Sequence, residues 1–185
     1  RYLEPVAIKK INIKQHFKGI LVLFVPTIAV SIYRAFDKTM IGIFTDSSSE
    51  NGYYEQADRI VQMCITVPTA LSTVMAPRIA SNMAKKNIDM VNEYMYKTYE
   101  ALLLIAMPLG VGIFCTSNMI VPWFLGEQYD KVITLLKIFS IIIPIIALSN
   151  ATGAQYLIQA REEKVYTKSI FLGAIVNFGL NLLMI

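Results

Sequence analysis

Five long apolar runs separated by short polar stretches set the pattern of this chain. Read as helices they fall at about 19–44, 53–84, 88–116, 131–159 and 165–185. At ~1.5 Å per residue each is long enough to cross a ~30 Å hydrocarbon layer. Pro26, Pro68, Pro108 and Pro144 interrupt the four complete runs, one in each. An internal proline removes a backbone donor and favours a bend. Membrane helices tolerate it where neighbouring groups satisfy the freed carbonyl, and transporters bend at such points.

The connecting stretches alternate in charge. Residues 1–18 carry Arg1, Lys9, Lys10, Lys14 and Lys18 against Glu4, Lys85 and Lys86 follow the second run, and Arg161, Lys164 and Lys168 follow the fourth. The stretch 45–52 is acidic and turn-rich, and 117–130 holds Trp123, Tyr129 and a turn at Leu125-Gly126-Glu127. The positive-inside rule makes the basic stretches cytoplasmic, so the chain runs inside–out–inside–out–inside–out. Trp123 and Tyr129 read as aromatics at the outer membrane interface.

Composition sharpens this picture. The 185 residues are 55% hydrophobic and only 16% charged, with a mean hydropathy of +0.52. A soluble domain is typically ~25% charged. The expectation is an all-α, polytopic transmembrane helix bundle in the cell membrane, with a cytoplasmic basic linker at 1–18 and a partial transmembrane lobe at 19–185. The net charge of +4 is spread over helix ends and gathers into no patch that would bind nucleic acid. Cys64 and Cys115 lie in apolar runs at no metal or redox spacing and read as core residues; His16 reads as a surface residue of the lead-in. There is no glycine-rich phosphate loop, metal-ligand spacing or Ser/His/Asp set, so the reading is a protein without cofactors that is not an enzyme. The chain opens on Arg1-Tyr2-Leu3-Glu4-Pro5 and ends within an apolar run, as an internal piece of a longer transporter would.

The candidate chemistry lies within the helices. Arg34, Asp37 and Lys38 are three and four residues apart and share one face. Charges on a spanning helix usually face a bundle interior or water-filled cavity and mark a substrate path. At the headgroup level the same residues would only snorkel. On the second run Arg59, Gln62, Thr66, Thr69 and Thr73 form a polar stripe, which suits a cavity wall or a close helix contact. Asn150, Thr152, Gln155 and Gln159 give the fourth run a polar face. Asn177 and Asn181 do the same for the fifth. Gly110 and Gly112 suit a close neighbour or a hinge.

Several segments together resemble bacterial polysaccharide repeat-unit flippases of the multidrug/oligosaccharidyl-lipid/polysaccharide exporter superfamily. They are Pro26 with Tyr33-Arg34-Ala35-Phe36-Asp37-Lys38-Thr39-Met40-Ile41-Gly42, then Gly52-Tyr53-Tyr54-Glu55-Gln56-Ala57, then Val74-Met75-Ala76-Pro77-Arg78-Ile79-Ala80. Trp123-Phe124-Leu125-Gly126-Glu127-Gln128-Tyr129 and Gln155-Tyr156-Leu157-Ile158-Gln159-Ala160-Arg161 are similar as well. The resemblance implies a two-lobed transporter of about fourteen helices, of which these five would open the second lobe. It implies alternating-access flipping of undecaprenyl-pyrophosphate-linked oligosaccharide for capsule, O-antigen or exopolysaccharide assembly. The partners implied are that lipid-linked glycan, membrane lipid and polysaccharide polymerase machinery. A cationic cavity is also implied, and Arg34, Lys38 and Arg59 are the residues that could supply it, with Asp37 orienting them or coupling an ion. Gln62 and Thr66 complete the expected substrate-binding set. Rival readings are a peptidoglycan-precursor flippase, a drug/cation antiporter, or a membrane-embedded polysaccharide polymerase or ligase. The last is expected to carry a large outer loop, and the outer stretches here are short.

Overall fold

A computed structural model describes residues 13–45 and 48–184. The basic linker lies outside them except for 13–18, which are helical, and the His16 side chain is outside them as well. The helices are α1 (Ile13–Thr45), α2 (Ser48–Ala84), α3 (Ile88–Phe124), α4 (Asp130–Ser140), α5 (Ile142–Asn150) and α6 (Glu163–Met184). A 3-10 turn, Glu127–Tyr129, leads into α4, and a π-helical stretch, Ala151–Leu157, follows α5. No strand occurs among the described residues. Among them α2, α3 and α6 are long and apolar enough to cross a membrane, and the bent path through α4 and α5 makes a fourth crossing if taken as one span. The molecule is a transmembrane helical bundle.

Its core lies between α2, α3 and the α4–α5 path. Leu102, Ala106 and Val121 of α3 meet Ala57, Val61 and Ile65 of α2, and Val132, Leu136, Ile143, Ala147 and Ala151 close the third side. These positions recur at steps of three and four, so each helix turns one stripe inward. Many of the inward residues are small, which lets backbones approach where lipid supplies no hydrophobic drive. The large apolar side chains point the other way: Leu104, Met119 and Trp123 are each at least three-quarters exposed. Tyr129 does not face outward as an interfacial aromatic; it packs edge-on against Tyr53, ring centroids 5.8 Å apart, and ties α4 to α2. Beside it Lys131 bonds Glu50 across the same junction. Cys64 is half-buried against the core, whereas Cys115 is exposed and is not a core residue.

The helix ends differ most from the hydropathy reading. Helix α3 continues eight residues past 116, because Ser117 and Val121 keep the buried stripe in step. Pro122 sits inside its last turns, and the helix closes where the Leu125 N–H reaches the carbonyls of Val121 and Pro122, ahead of Gly126 at φ 101°. Lys86 and Arg161 adopt φ 56° and 60°. In each case the next N–H bonds five residues back (Asn87 to Asn82, Glu162 to Leu157) and its own bonds three back, to Met83 and Ile158. These are Schellman caps with a basic residue in the left-handed position that glycine usually takes.

The fourth crossing is not one helix. Pro144 has no N–H for the Ser140 carbonyl, and the path bends by 45° between Ser140 and Ile142. The carbonyl that loses this donor rests on α3: a Cβ added to Gly110 would lie 2.8 Å from the Ser140 oxygen, while one on Gly112 would meet nothing within 4 Å. Pro68, Pro77 and Pro108 are carried inside unbroken helices.

Helices α1 and α6 run parallel and form a second layer. Phe36 meets Phe178 edge-on at 6.0 Å, and Asn181 Nδ2 donates to Asp37 Oδ1 at 2.6 Å.

Gly110→Ala should lower the thermal unfolding midpoint of the full-length protein in detergent, since a backbone clash of about 1–3 kcal/mol exceeds the gain in helix propensity. Gly112→Ala should be neutral or slightly stabilising; equal effects at the two sites would refute the close contact. For Asp37→Asn and Asn181→Leu, a double-mutant cycle on the same transition should give a coupling of about 1 kcal/mol. Strict additivity would mean the two side chains do not interact.

Candidate functional site

The polar residues of α1 gain their setting from the antiparallel α2. With few residues between Thr45 and Ser48, the last turns of α1 lie along the first turns of α2. This register brings Lys38 Nζ to 3.7 Å from Glu55 Oε1. Arg59, one turn further along α2, bonds the same carboxylate at 2.9 Å. Two of the three expected cations therefore share one anion. At 61% side-chain exposure the Arg59–Glu55 pair is an open helix-surface pair.

A cavity of about 370 Å³ lies where α1, α2, the α4–α5 path and α6 converge. Arg34, Asp37, Lys38 and Gln62 line it, joined by Tyr33, Tyr54, Asp58 and Asn177 and floored by Val61, Phe139, Ile142 and Ile146. Four of the six residues singled out in sequence thus share one chamber. The other two do not line it: Arg59 is turned to Glu55, and the exposed Thr66 donates its hydroxyl to the Gln62 carbonyl at 2.9 Å. Within the chamber Gln62 Nε2 donates to Asp58 Oδ1 at 3.2 Å, and Tyr54 packs edge-on against Phe139 at 5.3 Å.

Charge in this chamber differs from the cationic expectation. Arg34 and Lys38 are matched there by Asp37 and Asp58, so the lining is formally neutral. The distribution is nonetheless uneven. Asp37 accepts from Asn181, Asp58 accepts from Gln62, and Lys38 faces Glu55. Arg34 has no ion pair or hydrogen bond among the described residues, and its side chain is exposed. Its guanidinium is left as the planar donor set available to an incoming anion. No group of His, Cys, Asp and Glu among the described residues could hold a metal ion.

Sequence reasoning missed Asp58 and the pairing role of Glu55. The only local signal for Asp58 is its place four residues before Gln62 on the same face. The polar face of the fourth run also divides. Thr152 turns to α3, where its hydroxyl meets that of Tyr99 at 2.9 Å, whereas Asn150, Gln155 and Gln159 face α2. The π-helical stretch causes the split, since its wider turn rotates the residues after Asn150 out of α-helical step.

Similarity to known proteins points the same way as this architecture. The chain is 22% identical over 176 residues to an Escherichia coli (strain K12) protein named "Putative O-antigen transporter", covering 95% of this chain and 42% of that protein. It therefore spans about two fifths of that relative's length. No solved structure matches it. Residues 5–134 match the family described as Polysaccharide biosynthesis protein. That match covers well over half of the sequence, and the chain belongs to this polysaccharide biosynthesis family.

Proposed function

We propose that this chain forms part of a flippase that carries undecaprenyl-pyrophosphate-linked oligosaccharide across the cytoplasmic membrane by alternating access, without chemical transformation of the substrate. The observation that carries this reading is Arg34, a guanidinium with no ion pair or hydrogen bond among the described residues, on the wall of the cavity between α1, α2, the α4–α5 path and α6. A charge on a membrane-embedded helix marks a substrate path more often than a packing role, and a cation with no bonded partner of its own suits an anionic substrate. A guanidinium forks onto phosphate oxygens with two parallel bonds, which suits a pyrophosphate linkage. Lys38 and Arg59, sharing Glu55, would contribute less to substrate charge and more to holding α1 against α2. Family membership and the name of the Escherichia coli relative support export of a polysaccharide precursor. The lipid carrier, the membrane and the direction of transport are inferred from the resemblance and from the basic loops.

The two carboxylates of the chamber favour one second reading, a cation antiporter of the same superfamily. There Asp37 and Asp58 would take the cargo, and Arg34 would merely balance them.

The two readings part in a complementation assay with the full-length transporter, scored by surface glycan and retained lipid-linked intermediate at matched membrane levels. Loss of a charge-assisted contact to phosphate costs about 1.5–3 kcal/mol, or roughly ten- to a hundredfold. Arg34→Gln should reduce surface glycan to that degree and accumulate the intermediate, while Arg59→Gln should change export less than about threefold. Normal glycan in Arg34→Gln together with lost export in Asp58→Asn would instead support the antiporter reading.

A further inference from the structure

A second cavity, about 560 Å³, opens roughly two turns further along α2, between that helix and the π-helical stretch. Its polar wall is Thr69, Ser72, Thr73, Asn150, Gln155 and Gln159, and no charged side chain lines it. The threonines have spent their donors on their own helix, Thr69 on Ile65 and Thr73 on Thr69. Gln155 is 1% exposed, and neither its amide nitrogen nor its amide oxygen has a hydrogen-bond partner. Ser72 Oγ, across from it on α2, is buried and unpartnered as well. Two orphaned polar groups at one cavity are costly in a membrane interior. Gln155 is held there by the π-helical stretch, a feature found disproportionately at functional sites.

We propose that this cavity is a subsite for the uncharged sugar hydroxyl or acetamido groups of the transported glycan, with Gln155 as its recognition residue. The proposal rests on the flippase reading and adds to it which part of the substrate this cavity takes. The chemistry of the unmet groups selects the ligand. Gln155 offers both a donor and an acceptor, so its partner must offer both as well. A sugar hydroxyl does; a phosphate or carboxylate brings acceptors alone and would want a cation, which this wall lacks. An apolar lipid tail would satisfy neither atom. The transport path is thereby sorted by charge: the anion-binding guanidinium of Arg34 in one chamber, neutral hydrogen-bonding groups in the other. The amide is covered in the described conformation, so a sugar reaches it when α2 and the π-helical stretch part.

The test uses the purified full-length transporter and two probes. One is the lipid-free oligosaccharide released by mild acid from the host's own lipid-linked intermediate, and the other is inorganic pyrophosphate. Binding is read as ligand-induced shift of the thermal midpoint. Gln155→Met should weaken oligosaccharide binding by about tenfold or more and leave pyrophosphate binding unchanged. Ser72→Ala, a smaller change, should weaken oligosaccharide binding in the same direction and serves if Gln155→Met fails to fold. Equal oligosaccharide affinity in wild type and variants overturns the subsite. Wild-type binding of pyrophosphate without the oligosaccharide also overturns it but leaves the flippase reading standing; binding of neither probe overturns both.

Discussion

Pro144 cannot donate to the Ser140 carbonyl, and much of the bundle's shape depends on where that carbonyl goes. Inside a membrane it must find a neighbour or distort the path. It does both, bending the fourth crossing by 45° and pressing against Gly110. The bend lets α4 and α5 serve different partners. Helix α4 anchors one end of the core through Tyr129 on Tyr53 and Lys131 on Glu50. Helix α5 and the π-helical stretch cross back toward the basic end, where Thr152 meets Tyr99 and Gln155 meets the α2 stripe. One missing N–H thus separates a fixed end of the crossing from an end where the Gln155 amide is unsatisfied.

The charged chamber obeys a related economy. Six charged side chains from α1 and α2 come close together, yet the arrangement is not a uniform basic patch. Carboxylates meet amide donors or cations, and a single guanidinium is left over. Local charge neutrality keeps the helices together while the remaining donor set stays available. Asn181 has a double part in this, bonding Asp37 across the α1–α6 layer and lying 3.4 Å from Asn177 on its own helix.

The crossings at α2, α3 and α6, and the bent one through α4 and α5, were legible in the sequence because hydropathy is additive along a helix. The Arg34, Asp37 and Lys38 face was legible because spacing within one helix fixes its face. The helix ends were harder. Polar runs such as Ser48-Ser49-Glu50 and Thr116-Ser117-Asn118 look like loops, yet they are helical here, and the buried Ser117 sits in the packed stripe. Partners on other helices were illegible for a different reason. That Glu55 would neutralise two cations, or that Thr152 would leave the face of Gln155, depends on register between helices and on a π-helical turn. Neither has a local sequence signal.

The two Schellman caps carry a consequence that concerns biogenesis rather than the finished fold. At Lys86 and Arg161 a side chain with a Cβ occupies a conformation that costs about 1–2 kcal/mol relative to glycine. Both residues lie in turns rich in basic residues, which the positive-inside rule reads as cytoplasmic. On that reading the same two positions would act twice, first as topological signals in a nascent chain without tertiary structure, then as strained stops in the folded bundle. A sequence optimised for the folded state alone would place glycine at these turns, and by the positive-inside rule it would then give up part of the information that says which way up the protein belongs.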